Sequence, residues 1–352
     1  MIKPCLEMRF RDLTYLVFPI MVFALGEIIL DVFGNPSLII PQKPNEFAAI
    51  QEAANRYSFF AAELSFVLFS IGFLLYFVYD VANSFSRKSQ WVILFGYALI
   101  CSVMAIFIWR PSVFTLPERT YWLLGKTFFE TSLGSVKPSF SNNLTMFDIY
   151  MLILKAMNVS AFLAVPALVM GCVSSLGLIG PVRSNADQLS RPDTHANPAT
   201  EVTGMSIDFV LGYQAERLRT YLFLSSFLLV VVVVQLTLWM QWPSFSLRDD
   251  SRGMYDMLVR SISTYYGVNY TTLLCSYYIP PCIVLAKRIH EQARSSLQDK
   301  GEALTVKSIR QWEAKMGLAV IDMKSYKIIA ALLSPLFPGV IGTLLNSFGG
   351  GK

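Results

Sequence analysis

Three charged side chains lie within stretches that are largely apolar, apart from Asp148 at the very start of the third. Glu27 stands in LTYLVFPIMVFALGEIIL, Glu63 in the run from Ser58 to Tyr79, and Lys155 in the run from Phe147 to Leu178. An ionised group at membrane depth costs about 2.5–3.5 kcal/mol on insertion scales, so each needs a partner, a proton or a wet space. Two carboxylates and one ammonium on three helices offer two kinds of chemistry. One is a structural ion pair between Lys155 and a glutamate. The other is an intramembrane charge cluster that takes up and releases a proton or a cation, because a desolvated carboxyl beside an ammonium is poised to exchange protons. A second candidate is SYYIPPC, where Tyr277 and Tyr278 precede Pro280 and Pro281. Consecutive prolines remove two backbone donors and are expected to kink the helix, which marks either a gate or a packing site. Gln235, deep in another apolar run, is placed to hydrogen-bond a neighbouring helix.

The remaining chemistry is narrowed by what the sequence lacks. His195 and His290 are the only histidines, and both lie outside the apolar runs. That excludes an intramembrane bis-histidine haem, a His-rich metal site and a membrane Ser–His pair for this chain alone. No HExxH, CxxC or GxGxxG occurs. Gly125-Lys126-Thr127 resembles the end of a phosphate loop, but the motif requires glycine at 120, which is Thr120. No catalytic residue, metal ligand or cofactor site is assigned, and no cofactor is expected. Four of the five cysteines (Cys101, Cys172, Cys275 and Cys282, with Cys5 the fifth) fall in expected helices, which argues against a secreted disulfide framework. Asn143-Leu144-Thr145 and Asn269-Tyr270-Thr271 match the glycosylation pattern on segments expected to be external.

These residues need helices to carry them. Tyr221–Trp242 is twenty-two residues without a charge. As a helix it is about 33 Å long, enough for a hydrocarbon core of about 30 Å. Charged residues make up 15% of the chain, against about 25% in soluble domains. Six spans are expected: about Leu13–Leu30, Ser58–Tyr79, Trp91–Trp109, Phe147–Leu178, Tyr221–Trp242 and Thr271–Ala286. The fold class is therefore all-α, a polytopic membrane protein of about six transmembrane helices in three antiparallel hairpins, with a helical C-terminal tail. Residues 1–180 form an N-terminal membrane region of four helices and 181–206 a flexible polar linker. Residues 207–298 form a two-helix hairpin, and 299–352 a basic tail with an apolar end. That end, Ile328–Phe348, reads equally as a seventh span, a re-entrant or interfacial hairpin, or a segment packed against the tail.

With six spans, the N-terminus, the 79–91 turn, the 179–220 connection and the tail share one face. That face holds 19 Lys and Arg against 9 on the intervening loops. The positive-inside rule puts both termini in the cytoplasm. A bacterial inner membrane is favoured over a eukaryotic one. The net charge of +5 is then a property of a face near anionic lipid, and nucleic acid is not implied. The favoured function is a non-enzymatic multi-pass protein acting as a pore, a membrane effector or a membrane subunit of a larger assembly. Long external loops and the basic tail are the expected contacts with protein partners or further copies, beside membrane lipids. The alternative is a proton- or ion-coupled transporter using Glu27, Glu63 and Lys155.

Overall fold

The computed structural model describes residues 6–33, 48–108, 130–131, 133–134, 137, 143–179, 207–247, 249–299, 305–315 and 326–338. Among these, six long helices form one bundle: α1 (Val17–Phe33), α2 (Ala48–Ser84), α3 (Arg87–Ile108), α4 (Met146–Ser174), α5 (Ile207–Gln241) and α6 (Asp249–Asp299). Two shorter helices follow, α7 (Val306–Lys315) and α8 (Tyr326–Leu333). Five regions are long and apolar enough to cross a membrane: Phe10–Ile29, Ile50–Ser84, Arg87–Ile106, Met146–Ser174 and Ile207–Ser246.

The bundle is apolar outside, and its mostly hydrophobic core encloses several charged and amide side chains. Met21, Leu25, Leu64, Leu75, Phe95 and Leu152 are exposed, whereas Glu27, Glu63, Asp80, Gln214, Arg217 and Gln235 are buried. A soluble protein would reverse this, because exposed aliphatic surface is costly in water but not in lipid. α5 is the central helix: half of its apolar window is buried (50%), against 22–39% for the other four regions.

Contacts gather the helix termini at two ends. At one, a two-residue strand β1 (Leu6–Glu7) pairs antiparallel with β2 (Leu178–Ile179), and Met8 N donates to Ser89 Oγ at 2.9 Å. Arg288 Nη1 donates to Leu176 O at 2.7 Å, and Gln292 to Asp208 at 3.2 Å. Arg87, Lys88 and Arg219 belong to this basic end. At the far end, Asn55 Nδ2 donates to the carbonyls of Gln241 and Trp242, Trp242 Nε1 donates to Glu52, and Tyr150 stacks on Trp239.

Several boundaries differ from the sequence reading. The second helix begins at Ala48, well before the expected start of the span at Ser58. The segment Pro243–Tyr270, expected as an external loop, is a 3-10 turn over Trp242–Ser246 followed by the first part of α6. Asn269, whose glycosylation pattern was placed on that loop, lies inside the bundle, with its side chain against Gly26 of α1. Its neighbours are Ser, Thr and Tyr, polar enough to read as a loop yet uncharged and helical once packed. As expected, the helix that holds Pro280 and Pro281 runs on past them, to Asp299. The linker 181–206, most of the loop 110–146 and the end of the chain after Pro338 lie outside the described residues.

The described part of Ile328–Phe348, up to Pro338, packs along the bundle. α8 and the 3-10 turn Ser334–Leu336 lie against α5 and α6, where Ser226 Oγ donates to Ala331 O at 2.7 Å. Gly267 permits this approach, since a Cβ there would come within 2.8 Å of the Pro335 carbonyl oxygen. α7 packs on α6 through Ile309 and Trp312, with His290 Nδ1 3.5 Å from Glu313 Oε1.

Candidate functional site

Two polar centres sit inside the apolar bundle. The first is a cavity of ≈ 90 Å³ to which all six long helices contribute. Its walls are mostly aliphatic and aromatic; its polar groups are Glu27 (α1), Asn158 (α4), Gln235 (α5) and Tyr270 (α6). Glu63 of α2 adjoins it, its Oε2 accepting from Gln235 Nε2 at 2.9 Å. The other carboxylate oxygen of Glu63 and the amide oxygen of Gln235 are both buried, without a hydrogen-bond partner among the described residues. The centre thus holds more acceptors than donors. A buried acceptor left unmade costs about 1–3 kcal/mol, and more when charged, so this site calls for a proton or a cation. The space is large enough to hold water.

Of the three charges singled out by sequence, two meet here and one does not. Glu27 lines the cavity and Glu63 is joined to it through Gln235. Lys155 is exposed on α4, on the face that carries Leu152 and Val159, whereas Met157, Asn158 and Ala161 face the cavity. Its long stem lets the ammonium leave the interior, a freedom that the shorter glutamates lack. Tyr277 and Tyr278 are each 2% exposed, packed in the core beside the continuous helix at Pro280 and Pro281, and neither lines the cavity. Among the described residues, no three His, Cys, Asp or Glu side chains gather as a metal-binding set.

The second centre was not found by sequence. Near the basic end, Arg217 Nε of α5 donates to Asp80 Oδ2 of α2 at 2.6 Å, and Arg217 Nη2 donates to Ser174 Oγ of α4 at 2.8 Å. The Tyr221 hydroxyl, one turn along α5, donates to the same Asp80 oxygen at 2.8 Å. Ser84 donates to Asp80 Oδ1 and shares a 2.7 Å hydrogen bond with Tyr213. The guanidinium lies 4.6 Å from the centre of the Phe85 ring, a cation–π contact. Gln214 donates to Gly177 O just above the network. Gly171 makes room for the Tyr221 ring, which would overlap any Cβ at that position. The signals were present as fragments. Asp80 directly follows an apolar run, Arg217 and Tyr221 are spaced i, i+4, and Gly171 precedes Ser174-Ser175 on α4.

Compared with known proteins, the chain matches no family model, no curated protein and no solved structure.

Proposed function

We propose that this protein is a non-enzymatic carrier that binds protons or small cations at the carboxylates of its central cavity and passes them across a membrane. The observation that carries this reading is the excess of buried acceptors around a cavity reached by all six long helices. In this reading α6 is the sixth crossing. The helices run alternately up and down, and the basic end faces the cytoplasm. The network of Asp80, Arg217, Ser174 and Tyr221 closes the bundle between the cavity and that end. Arg217 precedes Leu229, the first α5 residue at the cavity, by about three helical turns. Lys155 takes no part.

The test is uptake into proteoliposomes holding a pH-sensitive dye, driven by a potassium diffusion potential, with sodium or choline as the external cation. Acidification faster than in empty liposomes is expected, and Glu63→Gln and Glu27→Gln should each cut it at least tenfold, with Lys155→Gln unchanged. Flux no faster than in empty liposomes, or unaltered in both glutamate variants, overturns the proposal.

A second reading, a membrane subunit of a larger assembly, is favoured by Lys155 itself. Its ammonium sits about 13 Å along α4 from Met146 among exposed aliphatic side chains, where a carboxylate from another chain would be welcome. A stoichiometric partner in mild detergent, together with flux at the empty-liposome level, puts this reading first.

A further inference from the structure

One outer face of the bundle is aromatic where it meets α8. Phe223 and Phe227 of α5 are each 45% exposed, and Phe69 and Phe73 of α2 stand beside them. The Phe69 and Phe227 ring centres are 4.6 Å apart, edge to face. α8 forms the opposite wall through Ala330 and Ala331, continued by Ser334 of the 3-10 turn, and the open trough between the two walls measures ≈ 690 Å³.

The trough is charged at one end only. Lys327, at the start of α8, lines it and is exposed. Arg219 precedes Phe223 by four positions and so lies on the same stripe of α5, one turn nearer the basic end, where it is paired with Glu216 at 3.8 Å. From there the phenyl floor runs away from the cations toward the middle of α5. Cationic groups at the level of one leaflet's headgroups, followed by an aromatic and aliphatic channel at acyl-chain depth, form the complement of one kind of molecule. We infer that the trough binds an anionic phospholipid, its phosphate held by Lys327 and its acyl chain laid along Phe223, Phe227, Phe69 and Phe73. A zwitterionic lipid offers the same chain but no net charge to match the cations. A second copy of the chain, or a protein helix, would fill the channel without any need for the phosphate.

Native mass spectrometry of the full chain, released from detergent after loading with equal amounts of phosphatidylglycerol and phosphatidylcholine bearing the same acyl chains, tests this. The wild type is expected to retain phosphatidylglycerol about fivefold more, the size of effect that one lysine exerts near an anionic surface. Lys327→Gln should bring the ratio close to one, Lys327→Arg should preserve it, and Lys307→Gln, an exposed base on α7, should leave it unchanged. Phe227→Ser should lower retention of both lipids. Equal retention by the wild type, no retention of either lipid, or a ratio indifferent to Lys327→Gln overturns the inference. Because Lys327 is exposed, its substitution does not endanger the fold.

Discussion

Arg217 is the residue that ties three helices together, and its replacement separates net stabilisation from the cost of a stranded charge. The Arg217–Asp80 pair is buried on both sides, with side chains 2% and 6% exposed. The attraction within such a pair is largely offset by the water that both ions lose, so the intact pair adds little net stability. Removing one partner is different. Arg217→Gln or Asp80→Asn is expected to lower the unfolding free energy by about 3–5 kcal/mol, because the remaining group is left desolvated beside groups arranged for its partner. The double variant should lose less than the sum of the two single losses, a coupling that thermal and denaturant unfolding in detergent measure directly. Additive losses would mean that the two charges do not sense each other. The residues of both centres were unequally legible in the sequence. Glu63 and Gln235 stood out as polar groups inside apolar runs, but 172 positions separate them, and no local pattern announces a pair that far apart. Asp80 and Arg217 stood at the expected edges of spans, where a charge is ordinary. Only the packing of α2 against α5 buries them.

At the level of elements, composition and period gave different answers for α6. Its hydropathy is diluted by Ser, Thr, Tyr and Asn, and its first part therefore read as a loop. Its buried residues Tyr255, Val259, Ile262, Tyr266, Leu273 and Tyr277 nevertheless recur at i, i+4, i+7, i+11, i+18 and i+22, a single helical stripe. The C-terminal segment was ambiguous for a different reason. Ile328–Phe348 is long enough to span by length and composition, and of it the structure describes residues 328–338, where α8 ends at Leu333 and a 3-10 turn carries Pro335. Where it docks is a matter of surface shape, set by the missing side chain at Gly267. Gly267→Val should push the Pro335 turn away, an overpacking penalty of about 1–3 kcal/mol. Hydrogen exchange of the 326–336 amides is then expected to quicken at least tenfold, while amides of α2 and α4 hold their wild-type rates. Unchanged exchange in that peptide would show that the close approach at Gly267 does not hold the segment in place.

For the molecule as a whole, the decisive question is whether α6 crosses, because five crossings and six place the tail on opposite sides. Hydropathy alone argues for five, since α6 falls short of the length-and-composition measure met by the other five regions. The bundle supplies the contrary argument. Residues 261–286 contain no Asp, Glu, Lys or Arg over twenty-six positions, about 39 Å of helix, against a hydrocarbon core of about 30 Å. A helix needs to be greasy only where it faces lipid, and α6 spends much of its surface on α1, α4 and α5. Several of its hydroxyls find partners: Tyr265 donates to Gly26 O of α1 at 3.0 Å, Ser263 shares a 2.8 Å bond with Thr237 of α5, and Ser276 donates within α6 to Leu273 O at 2.6 Å. The insertion cost of those polar groups is thus met by neighbours rather than by water. Epitopes placed at the N-terminus, between Leu247 and Asp249, and at the C-terminus distinguish the two topologies. In right-side-out vesicles, protease is expected to remove only the middle epitope, and inverted vesicles should give the complementary pattern. If the middle and C-terminal epitopes are cleaved from the same side, α6 does not cross. The basic tail would then share the side of the 3-10 turn at Trp242, and the six-helix cavity could not be a path through the membrane.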